Sequence, residues 1–135
     1  LTAMRDSLAH RGPDDAGNYL RPGIALGSRR LAILDLSPRG HMPMTSEDGR
    51  YRIVYNGEVY NYRELRPALE ARGFQFQSNT DTEVLLNLYR AEGAAMLDKL
   101  NGMFAFAIWD EEERSLFIAR DRLGVKPLYY AERPD

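Results

Sequence analysis

Cysteine is absent from the 135-residue sequence, so disulfides, thiolate metal sites and a cysteine nucleophile are excluded within this chain. Long apolar runs are absent too. None approaches the roughly 20 residues that span a bilayer, and the N-terminal residues lack the charged-then-apolar order of a secretion signal. From these absences we expect a cytoplasmic protein with no membrane partner.

The sequence also lacks an excess of positive charge. Its formal net charge is -2, and the lysines and arginines are scattered along the chain. Nucleic-acid binding needs a concentrated basic surface, so we expect no nucleic-acid partner. His10 and His41 have no second histidine at ligand spacing, which favours loop roles over a metal site.

The apolar residues are sufficient for one domain with a core, since 44% of the chain is hydrophobic. Alternating or continuous apolar stretches predict strands at "GNYL", "GIALGSRRLAIL", "YRIVYNG", "MFAFAIW" and "SLFIAR". The segment "PRGHMPMTSEDGR" is rich in turn formers and is predicted to be a loop. The first half of the chain is therefore expected to be mostly sheet.

Helices are predicted at four places. "LTAMRDSLAHRG" spaces its apolar residues along one helical face. Asn61 with Glu64, and Thr80 with Glu83, have the capping-box spacing at the start of two further helices, and a short helix is predicted over residues 94–100. This order of elements predicts helices that cover one sheet or a pair of sheets.

Several polar residues in or beside the predicted strands have ordinary explanations when taken singly. Arg30 lies in the predicted strand "RLAIL" and is explained by exposure to solvent. Asn56 with Gly57 is a strong tight-turn signal. Glu58 is explained as a solvated loop carboxylate, and Asp81 as a complement to a helix dipole.

The same residues taken together match the groups that hold an amino acid with a side-chain amide. A guanidinium pairs with an α-carboxylate, and two carboxylates share an α-ammonium. An asparagine amide and a glycine N–H can both stabilise the oxyanion that forms when an amide carbonyl is attacked. Spacing alone does not bring these positions together in space.

Six motifs make the chain similar to a known family. They are "HRGPDDAG", "SRRLAILDLSPRGHMPM", "YNGEVYNYREL", "SNTDTEVLL", "LNGMFAFAIWD" and "ARDRLGVKPLYY". In this order they resemble the glutaminase domain of class II glutamine amidotransferases, specifically of the asparagine synthetase type. The resemblance covers nearly the whole chain.

The resemblance implies an α+β fold, the N-terminal-nucleophile hydrolase sandwich, in which two antiparallel sheets lie between helix layers (αββα). It also implies a role for each polar residue toward glutamine. Arg30, with backbone groups at Leu31 and Ile33, would bind the α-carboxylate. Glu58 and Asp81 would bind the α-ammonium, and Asn56 and Gly57 would donate to the oxyanion.

The sequence departs from the family at its start. The family nucleophile is a cysteine at the very N-terminus of the mature chain, on a strand before the first helix, and this sequence begins after that strand. Thr2 is interpreted as a helix residue rather than a nucleophile, because Leu1 precedes it. We therefore expect residues 1–135 to form a partial domain without glutaminase activity of its own.

In the resembling family, a C-terminal synthetase domain uses ATP and magnesium to activate aspartate, and ammonia reaches it through a tunnel. This chain has no glycine-rich phosphate loop, so we expect no cofactor in it. The amide acceptor stays open, because relatives that amidate other carboxylates share the motifs, and a homodimer is also left open. A non-catalytic module that binds glutamine or stabilises a partner domain is the alternative from a different functional class.

Overall fold

The structure, a computed structural model, describes residues 1–133. Within them the strands are β1 (Asp15–Arg21), β2 (Ile24–Arg30), β3 (Met44–Thr45), β4 (Tyr51–Val59), β5 (Gly102–Asp110) and β6 (Ser115–Arg120). The α-helices are α1 (Thr2–Asp6), α2 (Tyr62–Glu70) and α3 (Asp81–Glu92). Short 3-10 helices cover Ala9–Arg11, Pro38–Gly40 and Gly93–Lys99.

The larger sheet is antiparallel, with strand order β3-β4-β5-β6. One of its faces is apolar and packs against α2 and α3. Ile53 of β4 lies opposite Ile108 of β5, and both are fully buried together with Val84 and Leu85 of α3. Burial of such side chains is the main force that holds helices on a sheet. The main core therefore lies between the helices and this face.

The smaller sheet is the antiparallel hairpin β1–β2, which covers the other face of the larger sheet. Tyr19 of β1 points toward the larger sheet, where its hydroxyl donates to Glu111 and its ring lies 4.8 Å from the Arg52 guanidinium. Arg29 of β2 points the opposite way, toward Asp6 of α1, with 3.8 Å between Arg29 Nη1 and Asp6 Oδ1. This order of helix, sheet, sheet and helices is the predicted αββα arrangement.

The helix starts follow the capping prediction in one case only. The Thr80 hydroxyl oxygen accepts from the Glu83 N–H at 3.2 Å, as predicted. The Asn61 side chain does not cap α2, so that part of the prediction is wrong. Its amide instead donates to the Lys99 carbonyl at 2.8 Å and accepts from the Asn101 N–H at 3.0 Å. Asn61 therefore ties α2 to the start of β5.

The predicted strand "RLAIL" is also wrong beyond its first residue. β2 ends at Arg30, and the chain then runs as an irregular loop. The Asp14 carboxylate accepts the Ala32 N–H at 2.8 Å, and the Arg30 side chain binds the carbonyl of Leu34. These side chains satisfy backbone groups that a strand would use, so the loop needs no strand partner. Leu31 and Ile33 are consequently exposed.

Candidate functional site

Arg30 folds back over the loop that follows β2. Its Nη2 donates to the carbonyl oxygens of Leu34 at 2.9 Å and Asp35 at 2.6 Å, while Nη1 takes no part in these two bonds. Gly40 makes this position possible, because a Cβ there would lie 2.5 Å from Arg30 Cζ. The side chain is half-buried. The solvent-exposed explanation of Arg30 is therefore wrong.

A cavity of about 360 Å³ lies beside Arg30, and Asp14, Ser37 and His41 also line it. His41 Nδ1 lies 2.8 Å from Asp15 Oδ2, so the histidine is held at the cavity wall. The cavity combines one fixed guanidinium with carboxylates and a histidine. Such a set can orient a small charged molecule.

Asn56, Gly57 and Glu58 lie in β4, paired with Ala105, Phe104 and Met103 of β5. The tight-turn interpretation of Asn56–Gly57 is therefore wrong. Side chains alternate across a strand, and Ile53 and Tyr55 point to the helix-packed face. Asn56 and Glu58 therefore share the face that bears Arg52 and meets the β1–β2 hairpin.

Gly57 has a packing reason to be glycine. A Cβ at this position would lie 2.7 Å from Phe104 Cα and closer still to the Met103 carbonyl oxygen. Side chains do not come this close to a neighbouring backbone, so any larger residue would push β4 away from β5.

The Gly57 N–H points to the edge of β4 that does not face β5. Just outside the two ends of β4, the Arg50 carbonyl accepts from the Glu111 N–H and the Tyr60 N–H donates to the Asn101 carbonyl, both on the β5 side. Hydrogen-bonding direction alternates along an antiparallel strand, so the even-numbered residues of β4 face β5 and the odd-numbered ones face away. On that other edge β3 pairs only with Arg52 and Ile53. The Gly57 amide therefore lies beyond the end of β3.

Asp81 is the first residue of α3, and its side chain is buried at 5% exposure. Its Oδ2 accepts from the Tyr55 hydroxyl at 2.7 Å and from the Val59 N–H at 3.0 Å. The Val59 N–H belongs to the same edge of β4 as that of Gly57. The Asp81 carboxylate therefore does more than complement the helix dipole, because it is fixed against the end of β4.

The structure brings part of the predicted set together. Asp81 binds the Val59 N–H on the edge of β4 to which the Gly57 N–H also points, and Asn56 and Glu58 lie on the neighbouring sheet face. Arg30 is the last residue of β2, and Leu31 and Ile33 lie in the loop that follows it. This loop is joined to the segment before α3 through another residue. The Asp35 carboxylate accepts the Asn79 N–H at 3.0 Å.

Two residues at the site were missed from the sequence. Tyr55 fixes Asp81, and the available signal was a tyrosine on an apolar strand face, since a buried tyrosine hydroxyl usually needs a partner. Burial and the nearby Asp81 charge raise the pKa of Tyr55 well above its ordinary value, so it remains a neutral donor. Asp35 was missed although the "DLS" segment carries the pattern of an Asx turn.

Other expectations concern ions, membranes and the start of the chain. Residues 1–133 contain no group of three or more acidic or histidine side chains that could hold a metal ion. In the same residues, every helix is too short or too polar to cross a bilayer. Thr2 begins α1, as expected for a helix residue.

Residues 1–135 match the protein family described as "Glutamine amidotransferase domain". The chain is 47% identical over 130 residues to asparagine synthetase [glutamine-hydrolyzing] 1 of Bacillus subtilis, covering 96% of this chain and 20% of that protein. It is 45% identical to a putative asparagine synthetase of Methanocaldococcus jannaschii, covering 96% of this chain and 28% of the relative. It is 43% identical to amidase chry2 of Gibberella zeae, again covering 96% of this chain and 20% of the relative. The chain thus spans between a fifth and a third of the length of these relatives.

A solved structure agrees with these sequence similarities. Glutamine phosphoribosylpyrophosphate amidotransferase of B. subtilis superposes with a TM-score of 0.64 at 29% identity. The similarity covers 76% of this chain and 24% of that protein. The family match and the relatives agree, and the chain belongs to the glutamine amidotransferase domain family, with asparagine synthetases among its relatives.

Proposed function

We propose that this chain is the glutamine-binding part of a glutaminase domain in an asparagine synthetase-like enzyme. The observation that carries the proposal is the shared edge of β4, where the Gly57 N–H lies two residues from the Val59 N–H that holds Asp81. Two residues of strand span about 6.8 Å. An ammonium-binding carboxylate and an oxyanion donor at this separation suit the two ends of one glutamine molecule.

The proposed reaction needs a nucleophile from outside residues 1–135. A thiolate of an N-terminal cysteine attacks the glutamine side-chain amide carbon, and the resulting oxyanion accepts hydrogen bonds from Asn56 Nδ2 and the Gly57 N–H. The α-amino group of that cysteine takes the thiol proton and delivers it to the leaving nitrogen, so ammonia leaves when the tetrahedral intermediate collapses to a thioester. Water then hydrolyses the thioester to glutamate and regenerates the thiol. Throughout the reaction Arg30 holds the α-carboxylate of the substrate, and the carboxylates of Glu58 and Asp81 hold its α-ammonium.

The acceptor of the ammonia belongs to the proposal as well. The similarity to proteins named asparagine synthetases favours aspartate, activated with ATP and magnesium by a C-terminal domain that such relatives have room for. An acceptor other than aspartate is the alternative, since a protein named amidase chry2 is similar to this chain to nearly the same degree. A homodimer and a cytoplasmic location are further parts of the proposal.

The test uses two proteins: a longer chain with the proposed N-terminal cysteine, here called the full-length enzyme, and the 135-residue chain alone. We expect the full-length enzyme to release glutamate from glutamine, and to form asparagine when aspartate and ATP are supplied. The 135-residue chain should release none above background. A cysteine-bearing enzyme that releases no glutamate would favour the non-catalytic module, and glutamate release by the 135-residue chain would overturn the need for the cysteine.

A further inference from the structure

The loop after β2 and the segment before α3 are far apart in sequence but are joined by the side chains of Asp35 and Arg39. Asp35 lies in the loop that follows Arg30, the last residue of β2, and its carboxylate reaches the backbone just before Asp81. Neither the six motifs nor the proposed glutamine contacts assign a role to this aspartate.

Within its own loop, Asp35 is held by two hydrogen bonds, one to its backbone carbonyl and one to its side chain. Its carbonyl oxygen accepts from Arg30 Nη2 at 2.6 Å, and its Oδ1 accepts from the Ser37 N–H at 3.0 Å. Its φ angle is 52°, a left-handed conformation that aspartate and asparagine tolerate better than most residues. The Arg30 guanidinium and the Asp35 carboxylate are thus fixed relative to each other through the same residue.

The second carboxylate oxygen of Asp35 makes the connection between the two segments. Oδ2 accepts the Asn79 N–H at 3.0 Å, and Asn79 lies two residues before Asp81. A second bond runs in parallel, from Arg39 Nη1 to the Gln77 carbonyl oxygen at 3.0 Å. The intervening Thr80 caps α3, so a shift of Asn79 would be passed to the start of the helix. Oδ1 of Asp35 therefore holds the loop after β2, and Oδ2 holds the segment that leads to Asp81.

We propose that Asp35 is a positioning residue that sets the distance between Arg30 and Asp81, the groups assigned to the α-carboxylate and the α-ammonium of glutamine. The inference rests on the proposed function, since it concerns the same substrate. Asp35 touches no reacting atom in this scheme. Its effect is to hold two binding groups, one at the end of β2 and one at the start of α3, at the separation that one α-amino acid requires.

The protonation state suits this role. The N–H groups of Asn79 and Ser37, with the Ser37 hydroxyl, lower the pKa of Asp35 to about 2. The carboxylate is therefore ionised, with both oxygens acting as acceptors, throughout the neutral range.

The decisive variant is Asp35→Asn in the full-length enzyme. Asparagine tolerates the same φ angle, but one of its acceptor oxygens becomes an NH₂ donor that faces a backbone N–H. We expect the KM for glutamine to rise roughly 3- to 30-fold, the range for variants that act through a connecting network, with kcat of glutamate release within about twofold. Ammonia-dependent amidation should be unchanged.

Asp48→Asn is the matched control. Asp48 also lies in a loop and accepts a backbone N–H, that of Arg50 at 3.1 Å, but it belongs to the turn between β3 and β4. Its glutamine KM should equal that of the wild type. Asp35→Gly is a second variant, because it keeps the left-handed backbone and removes both bonds, and it should raise the KM at least as much as Asp35→Asn.

The outcomes separate this inference from the proposed function. An active wild-type enzyme whose glutamine KM is unchanged in both Asp35 variants would overturn the positioning role while leaving the glutaminase proposal intact. A fall in kcat and in melting temperature with unchanged KM would also overturn it, because that pattern indicates a purely structural aspartate. If the cysteine-bearing wild type releases no glutamate, the proposed function fails first, and the inference fails with it.

Discussion

Tyr55 and Asp81 form a buried hydrogen bond that joins the middle of β4 to the start of α3, with 2.7 Å between the phenol oxygen and Asp81 Oδ2. The same oxygen accepts the Val59 N–H, so one carboxylate oxygen is fixed by two donors from one strand. Fixing a carboxylate in this way lowers the entropy that it loses when it binds a cation.

Removing the Tyr55 hydroxyl should lower the stability of the folded protein. In Tyr55→Phe the Asp81 carboxylate keeps only the Val59 donor, and we expect the free energy of unfolding to fall by about 1.5–3 kcal/mol, the scale for a hydrogen bond to a charged group. Urea denaturation of the 135-residue chain measures this. Tyr89→Phe is the control, because within residues 1–133 the Tyr89 hydroxyl makes no side-chain hydrogen bond. Equal losses in the two variants would show that the Tyr55–Asp81 bond adds little.

Asp81→Asn should separate binding from stability. An asparagine oxygen can still accept from both Tyr55 and Val59, so we expect the melting temperature to change little. The negative charge is lost, so the glutamine KM of the full-length enzyme should rise at least about tenfold. A sharp fall in melting temperature with an unmoved KM would make Asp81 a structural residue only.

Arg30→Lys should weaken glutamine binding more than retention of charge suggests. An ammonium cannot offer the planar paired donors that a guanidinium presents to a carboxylate. We expect at least about a tenfold rise in the glutamine KM, with ammonia-dependent synthesis retained. Steady-state kinetics with each nitrogen source measure this, and a parallel loss of both activities would point to misfolding of the loop.

Asn56→Ala should affect the chemical step. If the side-chain amide donates to the oxyanion, kcat for glutamate release should fall roughly 100- to 1000-fold, with a much smaller change in KM. Asn56 lies on an exposed part of β4 and not in a turn, so the fold should tolerate alanine. A well-folded variant with near-normal kcat would remove Asn56 from the oxyanion site.

Stability at acid pH should report on Asp35. The pKa of Asp35 in the folded protein, about 2, lies below the ordinary aspartate value of 3.8, so its contribution is complete above about pH 4 and is lost as the pH falls toward 2. The difference in unfolding free energy between wild type and Asp35→Asn should therefore be constant from pH 5 to 7 and shrink below about pH 4. A difference that persists unchanged at pH 2 would contradict the lowered pKa.

The sequence predicted those parts of the fold that depend on local patterns. The continuous apolar run of β5 and the Thr80 cap of α3 were correct because each depends on neighbouring residues only. The end of β2 was not predicted, since it depends on Asp14, which is 18 positions away from the Ala32 N–H it accepts. Asn61 was misassigned for the same reason, because its partners lie about 40 positions along the chain.

The candidate site shows the same division. Residue types identified the polar set, but the strand location of Asn56 and Gly57 required the pairing with β5. The local turn signal of Asn-Gly was strong, and tertiary pairing overrode it. Tyr55 and Asp35 act through partners 26 and 44 positions away, which no short motif encodes.

The shortness of β3 has a consequence for how this site could be blocked. β3 contributes two residues, and among residues 1–133 no further strand pairs with the edge of β4 beyond it. An extended peptide that pairs with that edge would accept the Gly57 N–H in its own ladder. Such a peptide would cover the Gly57 N–H through backbone hydrogen bonds, so inhibitors of this domain need not resemble glutamine.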